Sequence, residues 1–105
     1  MSGTIKQLTT KDFSNKTDKG ISVFDFFSKD CGPCRMILPI LEKTSQEMEG
    51  KARFYKVDVE QDRALAIQFR VQSLPAIFVM KDGVVKSQFV GMTDRLKIIK
   101  AIKEA

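Results

Sequence analysis

Residues 21–27 read Ile-Ser-Val-Phe-Asp-Phe-Phe, a nearly continuous apolar and β-branched run. A strand with one wet face alternates apolar and polar side chains. A strand covered on both faces does not. The run therefore predicts a strand in the middle of a layered α/β domain. "ARFYKVDV" at 52–59 predicts a second buried strand.

The remaining patterns fill in the layers. "TIKQL" at 4–8 alternates weakly and reads as a short strand. "TTKDFSNK" at 9–16 offers Thr9 or Thr10 as the cap of a short helix. "CRMILPILEKTSQEMEG" at 34–50 reads as a helix with Ile37, Ile40, Leu41, Thr44 and Met48 on one face and Gly50 at its end. Pro39 inside it is expected to kink it. "DRALAIQF" at 62–69 predicts a short helix capped by Asp62. "AIFVMK" (76–81) and "VVKSQFV" (84–90) flank Asp82-Gly83, a strong hairpin signal because both turn positions take positive φ. "TDRLKIIKAIKEA" at 93–105 closes the chain as an amphipathic helix, with Asp94 in its first turn and lysines near its end. The order β-α-β-α-β-α-β-β-α predicts a central mixed sheet of about five strands flanked by about four helices.

A length of 105 residues with 43% hydrophobic content suits one domain, 1–105, with a core of its own. The formal net charge is +5, but the lysines are scattered and mostly beside acidic or apolar residues. That pattern favours a solvated surface over nucleic-acid binding. The polar start "MSGTIKQLTT" lacks the apolar run of a secretory signal. No stretch approaches the ~20 apolar residues of a membrane span. A cytoplasmic location is expected.

Two cysteines, Cys31 and Cys34, are too few for a secreted disulfide framework. They straddle the junction between the strand at 21–27 and the helix that follows. Three positions apart on a helix, the side chains are neighbours, and their Cα separation is close to the ~5.5 Å that a disulfide prefers. A helix start also supplies unpaired N–H groups and a dipole that stabilise a thiolate, the nucleophilic form of cysteine. Pro33 suits the first turn, where its missing N–H costs nothing. Inert core cysteines fit this Gly-Pro junction poorly. With no histidine in the chain, His-based catalysis and most zinc sites are excluded. A dimer-bridging metal or iron–sulfur cluster remains as the alternative to redox chemistry, and redox chemistry is favoured.

Cys31-Gly32-Pro33-Cys34 in a strand–helix junction resembles the thioredoxin family, and the likeness runs over essentially the whole chain. "FDFF" before it and "PIL" after it resemble the family's active-site strand and helix. "YKVDVEQD", "VQSLPAIFVMKDG" and "FVG" at 89–91 resemble the next strand, the proline loop with its hairpin, and the glycine loop. The resemblance implies a thioredoxin fold and a protein dithiol–disulfide oxidoreductase. It needs no bound cofactor or metal beyond a redox-active Cys31–Cys34 disulfide.

The resemblance also assigns roles. Cys31 would attack a target disulfide, and Cys34, more buried, would resolve the mixed disulfide. Asp25 matches the family's buried carboxylate. An acid inside "SVFDFF" is already unusual; burial raises its pKa and equips it to take the Cys34 proton. The alternative is a strand-end Asp facing water. Lys56 matches the lysine beside that acid; alone it reads as a solvated lysine. Pro75 matches a cis proline that presents the Ser73–Leu74 backbone edge to an extended substrate segment. Gly91, with Val90 and Met92, would wall the same groove; for Val90 and Met92 core packing is the alternative. Implied partners are disulfide-containing proteins and a thioredoxin reductase, either a flavoprotein using NADPH or a ferredoxin-linked enzyme. A monomer that binds neither nucleic acid nor membrane is expected. A redox-sensing docking module with one dedicated partner is the second reading.

The chain departs from the family in having no tryptophan. Phe27 and Asp30 stand where the family carries tryptophans. Phe27 keeps apolar bulk under the active site. Asp30 places a charge beside Cys31, which disfavours its thiolate and keeps the pair a reductant. It is also expected to alter partner choice. Arg35 either offsets that charge or is an ordinary solvated helix residue.

Overall fold

The computed structural model describes residues 5–105. Thr4, the first residue of the expected opening strand, lies outside them. In chain order the elements are β1 (Lys6–Gln7), α1 (Phe13–Thr17), β2 (Ile21–Phe27), α2 (Gly32–Glu47), β3 (Arg53–Asp58), α3 (Arg63–Gln68), β4 (Ala76–Lys81), β5 (Val84–Val90) and α4 (Arg95–Glu104). The predicted order of elements is the observed one.

The sheet order is β1-β3-β2-β4-β5. β2 runs parallel to β3, with Asp25 opposite Lys56, and antiparallel to β4, with Asp25 opposite Ile77. β2 is thus central, as its apolar run requires. Alternate side chains along it enter two separate cores. Val23 packs with Ile37 and Leu41 of α2 and Ile98 of α4. Phe24 and Phe26 pack with Phe13, Leu65 and Phe78. Phe24 stacks on Phe78 at 5.4 Å between ring centroids and meets Phe13 edge-on at 5.1 Å. Asp25 shares the face of Val23, so it points toward the α2 layer.

The β4–β5 turn has φ +50° at Asp82 and +81° at Gly83, the double left-handed geometry that Asp-Gly favours. Asp82 also accepts the Gly20 amide at 2.8 Å, tying the hairpin to the start of β2. Asp94 is the N-cap of α4 and not part of its first turn; it accepts the Lys97 amide at 3.0 Å.

Two expected caps differ. α1 begins at Phe13, because Thr9 and Asp12 close a separate turn in which the Asp12 amide donates to the Thr9 carbonyl at 3.1 Å. Asp62 stands at the start of α3 but makes no side-chain cap bond there. Its carboxylate accepts instead from the Thr10 amide at 2.8 Å and the Thr10 hydroxyl at 3.0 Å. A long-range pair of donors has displaced the local one. α2 is continuous through Pro39, which is exposed. Ile40 lies at the margin of its buried face and is half-buried.

Candidate active site

The central strand β2 delivers the chain to residues 28–31, where it turns into α2. Cys31 is the N-cap of α2, with extended backbone (φ −94°, ψ 109°). Pro33 follows in the first turn without an N–H, so the Cys34 amide is left to find an acceptor. It donates to the Cys31 sulfur at 3.1 Å. A sulfur therefore occupies the place where a serine or aspartate oxygen usually caps a helix. The two cysteines are joined by a disulfide, with Cα atoms 5.2 Å apart. Cys34 is buried and Cys31 half-buried. A Cβ on Gly32 would meet nothing within 4 Å, so crowding does not explain the glycine.

Asp25 lies under this turn and is only 2% exposed. Burial pushes its carboxyl up from 3.8 to about 7, and the neighbouring Lys56 charge opposes part of that rise. Its Oδ1 is buried without a hydrogen-bond partner among the described residues. A strand-end Asp facing water is thereby ruled out. Lys56 is half-buried, and its Nζ lies 5.7 Å from the Phe27 ring centroid. Asp25, Phe27, Cys34, Arg35, Leu38 and Lys56 line one small cleft of about 140 Å³. The buried acid and the inner cysteine thus share one opening.

The proline loop leads into β4, whose Ala76 pairs with Phe26 near the end of β2. The Leu74–Pro75 bond is cis. The Gly91 amide donates to the Pro75 carbonyl at 2.8 Å, which holds the two loops together, and Gly91 takes φ +85°. Ser73 is exposed, Leu74 half-buried and Pro75 buried. Val90 and Met92 are 57% and 50% exposed, so neither is a core residue.

Asp30 is exposed at the rim. Arg35 is held in place: its Nη1 donates to the Lys29 carbonyl at 2.8 Å, bracing the loop before Cys31. That bond, and the placement of Ser28 and Leu38 in the cleft, were not anticipated from sequence. Spacing of Leu38 four positions after Cys34 was the available signal. Among the described residues, no group of three or more His, Cys, Asp or Glu could hold a metal ion.

The family model described as Thioredoxin matches residues 4–104. The chain belongs to the thioredoxin family. Proteins named thioredoxin from Staphylococcus aureus strains COL and USA300 are each 39% identical over 87 residues, covering 83% of this chain and 84% of theirs. Among solved structures, one chain is similar with a TM-score of 0.84 and 28% identity, covering 96% of this chain and 94% of that one. It comes from work on the thiol resolving mechanism of a yeast mitochondrial 1-Cys peroxiredoxin via glutathione/thioredoxin systems. Membership and the bonded cysteine pair make this chain a thiol–disulfide oxidoreductase of the thioredoxin type. Among the described residues, no helix is long and apolar enough to cross a membrane.

Proposed function

We propose that residues 1–105 act as a single, monomeric unit in the cytoplasm, a thioredoxin that reduces disulfides in target proteins. The reaction starts from the dithiol form. The Cys31 thiolate attacks one sulfur of the target disulfide. A Cys31–target bond forms, the target S–S bond breaks, and the displaced target sulfur takes a proton. Asp25 accepts the proton of Cys34, whose thiolate then attacks the Cys31 sulfur. The Cys31–target bond breaks, and the second target sulfur leaves and takes a proton, which returns Asp25 to its carboxylate. Two electrons have passed to the target, and the chain is left with the Cys31–Cys34 disulfide. A thioredoxin reductase, flavin- or ferredoxin-linked, returns the two electrons.

The observation that carries this reading is the buried Asp25 in the same cleft as Cys34, its carboxyl near 7. A group with that affinity exchanges a proton near neutral pH in either direction. The Cys34 amide on the Cys31 sulfur supports Cys31 as the attacking thiolate, because the same donor stabilises a negative sulfur. Lys56 tunes Asp25 from the adjacent strand. Pro75 and the Ser73–Leu74 edge, with Val90 and Gly91 opposite, receive the target segment by backbone pairing.

Catalytic amounts of the chain, supplied with a dithiol, should reduce a model protein disulfide repeatedly. Cys31→Ser should abolish turnover. Cys34→Ser should accumulate a one-to-one mixed disulfide through Cys31. Stoichiometric but never catalytic reduction by the native chain would point to the redox-sensing module and against this reading.

A further inference from the structure

The chain carries few side chains that a two-electron oxidant can reach. It has no tryptophan or histidine, and its single tyrosine, Tyr55, is buried. In the disulfide form the two cysteine sulfurs are bonded to each other, so neither offers a thiolate. The thioether of methionine is then the softest nucleophile left. Among the described residues the methionines fall into two classes. Met48 and Met80 are buried in the two cores, whereas Met36 and Met92 are 68% and 50% exposed.

Met92 is set apart by where the fold puts it. Val90, at the end of β5, pairs with Ala76, and Ala76 pairs with Phe26 near the end of β2. The Gly91 amide donates to the Pro75 carbonyl at 2.8 Å, which ties this stretch to the cis proline. Met92 follows directly, in the link between β5 and α4. It is therefore carried at the pole where β2 delivers the chain to the cysteines. Met36 lies on α2, two residues after Cys34, and does not line the cleft that Cys34 shares with Asp25.

Oxidation would change what this side chain offers. A thioether is apolar, flexible and polarisable, and it packs adaptably against the apolar side chains of a partner. Its sulfoxide is polar and chiral, with an oxygen that must stay hydrated or hydrogen-bonded. The flanking Val90 and Gly91 have no side-chain donor to receive that oxygen. A target segment brought against an oxidised Met92 would strip water from the oxygen without replacing it.

We propose that Met92 is a reversible oxidation site through which a hydroperoxide weakens target docking while the disulfide chemistry stays intact. The hydroperoxide transfers one oxygen atom to the Met92 sulfur. The O–O bond breaks, an S–O bond forms, the sulfur loses two electrons, and the hydroperoxide leaves as an alcohol or water. Return needs a methionine sulfoxide reductase, which supplies two electrons and two protons and releases the oxygen as water. The consequence for docking rests on the reductase reading; the modification itself does not.

The test separates modification from consequence. The full chain in its disulfide form is treated with hydrogen peroxide, the excess is removed, and its peptides are mapped by mass. Met36 and Met92 should each gain an oxygen, and Met48 and Met80 should stay unmodified. Reduction of a protein disulfide and of a small uncharged disulfide is then measured before and after treatment, in a Met36→Leu chain and in one that also carries Met92→Leu. In the first, treatment should raise KM for the protein disulfide roughly fivefold, with kcat nearly unchanged, and leave the small-disulfide rate as it was. In the second, treatment should change neither. Methionine sulfoxide reductases for both epimers should restore the original KM. An unmodified Met92 beside a fully oxidised Met36 would overturn the proposal. So would an equal rise in KM in the Met92→Leu chain, or a loss of small-disulfide reduction, which would place the damage at the cysteines. A native chain that reduces no protein disulfide before treatment would sink the reductase reading, while the mapped oxygen on Met92 would stand or fall by itself.

Discussion

The floor and the rim of the cysteine site carry the same side chain in opposite surroundings. Asp25, on the floor, is 2% exposed, and its carboxyl sits at about 7. Asp30, on the rim, is open to water. Both are carboxylates within a few residues of a cysteine, yet burial gives them different work. In a dry cleft, ionisation costs several kcal/mol and the group becomes a proton acceptor with an adjustable affinity. In water the charge is kept and can act only through a weakened field. Distance along the sequence says little about which role a carboxylate takes; the dielectric around it decides.

The largest effect expected from this contrast is that of Asp25→Asn. The folded carboxyl titrates at about 7 and the ordinary value is 3.8, so the native state binds the proton more tightly than the unfolded chain. Stability from this group is therefore fully present below about pH 4 and falls as pH rises toward 7. Above that it stays at its low plateau. Asn cannot ionise, so the variant should be more stable than the native chain at about pH 8, by a few kcal/mol at most, and nearly equal at about pH 4. Denaturant unfolding at the two pH values reads this directly. The same variant should slow release of a trapped target by roughly a hundredfold, since general-base help to Cys34 is gone. A variant that is stabilised at neither pH would show that Asp25 is already ionised and hydrated, and would remove the distinction between floor and rim.

Much of this architecture was legible because its signals are local. β2 and β3 read as buried strands from their apolar residues, and Asp82-Gly83 marked the hairpin between β4 and β5. The odd charge in "SVFDFF" marked Asp25 in the sequence alone. What escaped depends on contacts far apart in the chain. Asp62 has the right residue type for a cap, but Thr10, 52 positions away, supplies two better donors. For Val90 and Met92 the sequence left two readings open, groove wall and core packing. They are exposed because β5 is an edge strand and the chain turns at Gly91. The Arg35 bond to the Lys29 carbonyl closes a loop whose shape no periodicity encodes.

A smaller effect should come from Lys56→Met. Burial raises the Asp25 carboxyl and the Lys56 charge pulls it part of the way back. Removing that charge leaves burial unopposed, so the acid should titrate higher, by roughly one unit across a half-buried pair. The pH dependence of mixed-disulfide release should move upward by the same amount. Its plateau rate should change little, because the acceptor itself is intact. An unmoved profile would mean that water screens Lys56 as fully as it screens Asp30.

The smallest effect tests the rim itself, through Asp30→Trp. Asp30 is exposed and directly precedes Cys31, so its field reaches the sulfur largely through water. At about 4 Å in water, unit charges interact by only ~1 kcal/mol. Removing the carboxylate should therefore lower the Cys31 thiol pKa slightly in the reduced chain, because a like charge beside the thiolate is gone. Salt should erase much of the difference, as it cannot for a buried pair. Thiolate absorbance or the rate of alkylation against pH measures it. The sign matters more than the size. Destabilising the thiolate destabilises the reduced state, so Asp30 makes the pair more reducing, and the tryptophan variant should be the slightly better oxidant. A shift of several units would place Asp30 in the same dry environment as Asp25. No shift at all, with altered turnover on protein disulfides, would leave Asp30 acting on partners alone and not on the sulfur.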